Sequence, residues 1–211
     1  MSGDLKEAIL TEALKEIPFC GFSDAALKTA GEKAGADPAQ VKALFPSGAA
    51  SLAEAFSHWA DAAMEQRMKE AAPERVRDRI ACAVRSRIEV LAPHREATRR
   101  ASAFLALPQN ASLATRLLFR TVDAMWRAAG DKTSDFNYYT KRALLAGVYG
   151  SSLLYWLSDS SEGAAETWAF LDHRIDNVMS IQKVRGQMDR AAAKLPDPFG
   201  ILAALRAPKP R

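Results

Sequence analysis

The side chains with the most chemistry to offer are three histidines, two cysteines and a few clustered carboxylates. His58, His94 and His173 have no His or Cys partner at metal-ligand spacing. A di-iron bundle needs Glu-x-x-His on facing helices, and no E-x-x-H occurs. P-loop, G-x-G-x-x-G and G-x-S-x-G patterns are also missing. Asp172-His173-Arg174 in "FLDHRID" lies mid-helix beside an apolar stripe, where structural or surface roles are expected. Asp123, Asp131 and Asp135 could form a carboxylate cluster, yet Asp131 and Asp135 are also natural turn and helix-start residues. Cys20 and Cys82 lack CxxC spacing and read as small buried side chains in a reducing compartment. No catalytic residue, metal site or cofactor is expected.

Binding chemistry is more legible. In "GDKTSDFNYYTKRALLAGVY" (130–149) a polar stretch with adjacent tyrosines opens into an almost uncharged helix. Neighbouring helical residues point in different directions. Either one of Tyr138 and Tyr139 packs inward and the other serves as an interface anchor, or both cover the core with wet hydroxyls. The remainder, "ALLAGVYGSSLLYW", is apolar around much of its circumference, as in a helix buried within a bundle. Gly147, Gly150, Ser151 and Ser152 leave it thin, so a neighbour can approach or space can remain beside it. Two interior glycines cost about 1 kcal/mol each against Ala, which suggests that their small size is useful.

The elements around this stretch read as helices nearly throughout, since alternating Val/Ile/Thr-rich runs are missing. Leu5, Ile9, Leu10, Ala13, Leu14 and Ile17 share one face. Gly21 ends that helix, Ser23 caps the next to about Ala34, and Asp37 caps a short one through Leu44. A longer helix runs from about Ala49 to Ala71. Pro73 opens another, with Val76, Ile80, Val84, Ile88 and Leu91 as its stripe. Its Arg75, Arg79, Arg85 and Arg87 are either a solvated face or a surface for acidic headgroups or an acidic partner. After Pro93 and Pro108 a helix spans about Asn110 to Ala129. Ser134 caps the central helix, from Asp135 to about Leu157, and a last helix carries Trp168, Leu171, Ile175, Val178 and Met179. The tail "KLPDPFGILAALRAPKPR" brackets Phe199, Ile201, Leu202 and Leu205 with prolines and ends in basic residues.

Charge is unevenly spread. Residues 1–70 carry seven Lys/Arg and eleven Asp/Glu, 7 − 11 = −4. Residues 71–100 carry eight arginines and four acids, 8 − 4 = +4, and residues 183–211 carry seven basic and two acidic residues, 7 − 2 = +5. The N-terminus resembles neither a signal nor a transit peptide, and no window offers about 18 uninterrupted apolar residues. A cytoplasmic chain, peripheral on the inner face of the membrane, is expected. Burying the tail's large apolar groups while its basic residues meet anionic lipid would support reversible binding; a frayed terminus is the other reading.

Two resemblances sharpen this. "AILTEALKEIPFCGFSDAALKTAGEKAGADPAQVKALFPSGAASLAEAF" resembles the helix-turn-helix domain of the tetracycline-repressor (TetR) family. Its would-be recognition helix, Asp37 to Phe45, presents Asp and Pro where DNA readers offer polar or basic groups. Phosphate neutralisation supplies most nonspecific DNA affinity, so a module within an N-terminal third of charge −4 reads as a repressor fold that has lost its DNA function. Second, "DAMWRAAGDKTSDFNYYTKRALLAGVY" followed by "LSDSSEGAAETWAFLDHRIDNVM" resembles the Coq-nine family of ubiquinone-biosynthesis accessory proteins. The shared elements are M-W-x-x-A-G-D, T/S-D-F-N-x-Y-T-x-R, the D-S-S turn and T-W-x-F-L-x-x-R-I-x-x-V/A-M, over about 60 residues.

That resemblance implies an all-α, TetR-like helical bundle with a vestigial helix-turn-helix, often a homodimer, binding lipid instead of DNA. It implies a non-catalytic helper that presents an isoprenoid quinone intermediate to the demethoxyubiquinone hydroxylase. The family's partner-facing patch falls on Met125, Asp135, Tyr138, Tyr139 and Arg142; animal members have tryptophan where this chain has Tyr138. Lipid contact is expected from Leu144, Leu145, Val148, Tyr149, Leu153, Trp156 and Trp168, and membrane contact from Phe199, Ile201, Leu202 and Leu205. The expected divisions are a helix-turn-helix-like module at 1–48, a lipid-binding and dimerisation domain at 49–183, and a basic amphipathic tail at 184–211. The alternative is a TetR-type repressor with a hydrophobic ligand.

Overall fold

The computed structural model describes residues 2–71, 73–130 and 137–192, and these form nine α-helices with no strand among them. The chain divides into two compact units, residues 1–171 and 172–211.

Three helices make the N-terminal module: α1 (Ser2–Cys20), α2 (Asp24–Lys33) and α3 (Pro38–Leu44). Local chemistry sets their ends. Ser23 accepts a hydrogen bond from Ala26 N at 3.1 Å, and Asp37 and Gln40 form a reciprocal capping box. Gly31 is where α3 meets α2. A Cβ there would lie 2.5 Å from Val41 Cγ2, so a larger residue would push the helices apart. Ile9, Ala13 and Ile17 are fully enclosed along α1, as their spacing predicts.

The body comprises α4 (Ala49–Ala71), α5 (Val76–Leu91), α6 (Arg95–Leu105), α7 (Ala111–Ala128) and α8 (Asn137–Ser158), and a last helix, α9 (Ala165–Ala192), begins in this unit and continues into the second from Asp172 onward. Helix α4 packs along α5 and α7, α7 along α8, and α6 returns to α1. Phe22 of the α1–α2 turn meets Phe56 of α4 and Phe104 of α6 at ring separations of 6.2 and 5.9 Å, tying module to body. Fully burying a side chain of that size stabilises by about 1.5–3 kcal/mol.

Several sequence expectations change here. Helix α5 begins at Val76, after an extended Arg75, instead of at Pro73, whose carbonyl accepts from Arg79 Nε at 2.6 Å. Val76 is 57% exposed and drops out of the apolar stripe, while Ile80, Val84, Ile88 and Leu91 are buried. Arg87 is not on a solvated face: it is buried with Asp61. Helix α6 was not anticipated; its short apolar face is interrupted by three arginines along "REATRRASAFL". Two of them reach across to α8, where Arg95 Nη2 donates to Trp156 O at 2.5 Å and Arg99 Nη2 to Leu157 O at 2.6 Å. They close carbonyls that a helix end leaves without an intrahelical partner. Cys20 is exposed and Cys82 half-buried, both as free thiols, so neither is a core residue.

Helix α8 is one-sided instead of buried all round. Leu145, Val148, Tyr149, Ser152, Trp156 and Leu157 are buried, whereas Ala143 and Gly147 are exposed and Leu154 is 62% exposed. At its far end Asp159 accepts from Ser161 N at 2.7 Å and Thr167 N at 2.9 Å. Those bonds and the Ser161 and Thr167 side-chain partners hold its carboxyl well below the usual range, and they anchor the start of α9.

Candidate functional site

The opening of α8 is organised by one carboxylate on α7. Asp123 Oδ1 accepts from Tyr138 Oη at 2.9 Å and from Arg142 Nε at 2.7 Å, and Arg127 Nη1 lies 3.1 Å from Oδ2. Burial works against the Asp123 charge, but the bonds from Arg142 and Tyr138 outweigh it, and the carboxyl stays below its usual range. The Arg142 guanidinium stacks over the Tyr138 ring at 3.3 Å from its centre, and Tyr139 meets that ring edge-on at 5.2 Å. Tyr138 is therefore fastened down, and Tyr139 projects outward, 72% exposed. Of the expected partner patch, Arg142 and Met125 are buried, Tyr138 is half-buried, and Asp135 lies outside the described residues. Among the described residues of the patch, only Tyr139 offers most of a side chain to a partner, and it rests against Tyr138, which Asp123 and Arg142 hold in place.

Elsewhere in the same unit, α4, α5, α6, α7 and α8 line an open-mouthed cavity of about 410 Å³, within the range of about 300–1,000 Å³ usual for small-molecule sites. Phe56, Leu91, Leu105, Leu117, Leu118 and Leu153 form its apolar walls. Its rim includes the exposed Ala106 and Leu154. Its floor is polar: Ser57, Arg87, Thr121 and Tyr149. There Arg87 donates from Nε to Asp61 Oδ1 at 2.7 Å, from Nη2 to Ser57 Oγ at 3.1 Å, and from Nη1 to the Tyr149 hydroxyl. Thr121 Oγ1 also donates to Asp61 Oδ1, at 2.9 Å. Burial pushes the Tyr149 phenol above its ordinary value, with Arg87 opposing, so it keeps its proton near neutrality.

Of the expected lipid residues, Tyr149 and Leu153 line this cavity. Leu145 and Val148 are core residues and Leu144 is half-buried. Trp156 lies buried beneath Arg95, 5.2 Å from its guanidinium. Trp168 is held at the start of α9 by its N–H to Gly163 O at 2.8 Å, with Arg85 over its ring. Phe199, Ile201, Leu202 and Leu205 lie outside the described residues. Most of the wall comes from α4 to α7, which sequence reasoning passed over. One signal pointed there. Arg87 stands three after Val84 and four before Leu91, squarely on an apolar stripe, and Thr121 stands four after Leu117 and four before Met125.

Among the described residues no group of three or more His, Cys, Asp or Glu could hold a metal ion, and no helix is long and apolar enough to cross a membrane. Burial lowers the His94 imidazole; at His58 burial and the Arg120 charge do the same.

A three-helix module set on a helical body with an apolar cavity open to the surface defines a protein of the TetR-regulator fold. The structure matches the crystal structure of the TetR transcriptional regulator from Nitrosomonas europaea ATCC 19718 with a TM-score of 0.64, over 82% of this chain and 97% of that one. Identity is 18%, so this likeness concerns the fold alone. Sequence relatives are more specific. Residues 111–182 match the COQ9 family, and the chain is 34% identical over 186 residues to the ubiquinone biosynthesis protein COQ9, mitochondrial, of Rattus norvegicus. It is 31% identical over 191 residues to that of Drosophila melanogaster and 32% over 186 residues to that of Homo sapiens. These alignments take in 84–88% of this chain and 58–59% of the relatives, so the chain spans about three-fifths of their length. The chain belongs to the COQ9 family.

Proposed function

We propose that this chain is a non-catalytic lipid-binding accessory protein of ubiquinone biosynthesis. It shelters an isoprenoid quinone intermediate and presents it to the demethoxyubiquinone hydroxylase at the membrane surface. The observation that carries this reading is the cavity, with apolar walls, a small polar floor and a rim at the surface. At its floor the Arg87 charge is paired with Asp61 and its guanidinium donates to Tyr149, which suits holding a ligand more than transforming it. The pathway is the one printed in the names of the relatives.

Partner docking is assigned to Tyr139, held by the Asp123–Tyr138–Arg142 cluster. Exposed aromatic anchors of this kind are favoured at interface hot spots. Homodimerisation is assigned to Ala143 and Gly147 on α8, exposed and low in profile. Membrane contact is assigned to the tail beyond the described residues, at the inner face of the membrane. The N-terminal module, within a stretch of charge −4 over residues 1–70, is read as a scaffold that does not bind DNA.

Native mass spectrometry of the purified chain, followed by solvent extraction, tests the reading. An isoprenoid quinone carried by a folded dimer supports it. A chain that takes up no quinone but binds a DNA duplex with steep salt dependence overturns it in favour of a repressor.

A further inference from the structure

Apart from Thr98 and Ser102, whose hydroxyls donate to the His94 and Thr98 carbonyls, the pocket's polar groups form one cluster, and its donors and acceptors define what that end can hold. Thr121 spends its hydroxyl proton on Asp61, and Arg87 reaches Asp61, Ser57 and Tyr149. The Tyr149 hydroxyl accepts from Arg87, and among the described residues no hydrogen bond takes its own proton, although the same cluster holds the buried Asp61 Oδ2, itself without a partner. It is a buried phenol with a donor to give, on the wall of an apolar cavity. A group in that position is costly unless something accepts from it.

We propose that Tyr149, backed by Arg87, forms a head-group subsite for a neutral oxygen acceptor, a quinone carbonyl or ring ether, with the isoprenoid tail directed to the rim at Leu154 and Ala106. The inference rests on the lipid-binding reading above and narrows its ligand. Two features select a neutral group over a carboxylate or phosphate. The Arg87 charge is already neutralised by Asp61 at 2.7 Å, so an anion entering the floor would be stripped of water without a free counter-charge. A neutral carbonyl loses far less hydration and gains the waiting O–H. Donation from Arg87 onto the phenolic oxygen also polarises that O–H and strengthens it as a donor. Gly150, beside Tyr149 on the lining, keeps the route open, since a Cβ there would meet nothing within 4 Å.

The test is calorimetric titration of the full chain with three probes. They are a dimethoxy-methyl-benzoquinone bearing one prenyl unit, an oxygen-free isoprenoid hydrocarbon of similar size, and palmitate. Wild type is expected to bind the quinone tightest and palmitate weakest. Tyr149→Phe should weaken the quinone about ten-fold, the equivalent of about one hydrogen bond, and leave the hydrocarbon unchanged. Gly150→Leu should abolish both. Because Tyr149→Phe also removes an acceptor from Arg87, a second readout uses wild type alone. The infrared carbonyl stretch of bound quinone should fall below its position in hexane. An unshifted carbonyl, equal loss for quinone and hydrocarbon, or palmitate binding as well as quinone overturns the subsite and leaves the lipid pocket standing. If no apolar probe binds wild type, the pocket reading itself falls, and this inference with it.

Discussion

Arg87 and Asp61, 26 residues apart on neighbouring helices, form a salt bridge of 2.7 Å with side chains only 5% and 6% exposed. Such a pair need add little net stability, because desolvation offsets much of the attraction. Breaking it is another matter. Arg87→Leu should strand the Asp61 carboxylate and destabilise the chain by about 3–5 kcal/mol. Adding Asp61→Leu should recover most of that loss. Urea unfolding followed by helical circular dichroism measures both; a double variant no more stable than the single one would mean that the pair also shapes the packing around it.

Tyr139 and Arg142 should separate docking from folding. Tyr139→Ala removes an exposed ring and should change stability by no more than about 0.5 kcal/mol. Pull-down of the hydroxylase should nevertheless drop. Arg142→Ala takes a buried guanidinium from Asp123 and Tyr138, and should cost about 1.5–3 kcal/mol for its charged hydrogen bonds as well as docking. Full hydroxylase binding by a folded Tyr139→Ala variant would remove Tyr139 from the interface.

The two mid-helix glycines of α8 face open space: a Cβ at Gly147 or Gly150 would meet nothing within 4 Å. Each Gly→Ala change should therefore stabilise by about 0.5–1 kcal/mol through the unfolded chain and helix propensity. Their value to the protein would then lie outside the monomer's own packing. Gly147→Ala should weaken self-association, read by sedimentation, if α8 forms the dimer contact.

Acid should loosen the fold by a route the histidines set. His58 and His94 both titrate below the usual 6.5 in the folded chain. A folded value below the unfolded one means stability that is present above about pH 6.5 and is lost as pH falls through the lowered values. The melting temperature should fall between pH 7 and pH 5. His94→Phe, which keeps an aromatic ring beside Trp59 at a position where the rings now lie 5.4 Å apart, should flatten that slope together with His58→Gln. An unaltered slope would assign the acid response to carboxylates.

What the sequence by itself determined is local. Capping residues and period-three-and-four stripes are properties of a few consecutive side chains, so Ser23, Asp37 and the bounds of α4 at Ala49–Ala71 could be read directly. The resemblance to the COQ9 family was equally legible, because its motifs lie in one run of chain. The tertiary structure decided what those faces meet. Only the crossing of α4, α5, α7 and α8 brings Asp61, Arg87, Thr121 and Tyr149 to one point. Arg87 lies on an apolar stripe, but its burial depends on a carboxylate 26 residues away. Likewise, Tyr138 and Tyr139 are chemically identical in sequence, and Asp123 on another helix pins one and leaves the other outside. Burial and pairing of charge are set by long-range packing, and no window of neighbouring residues contains them.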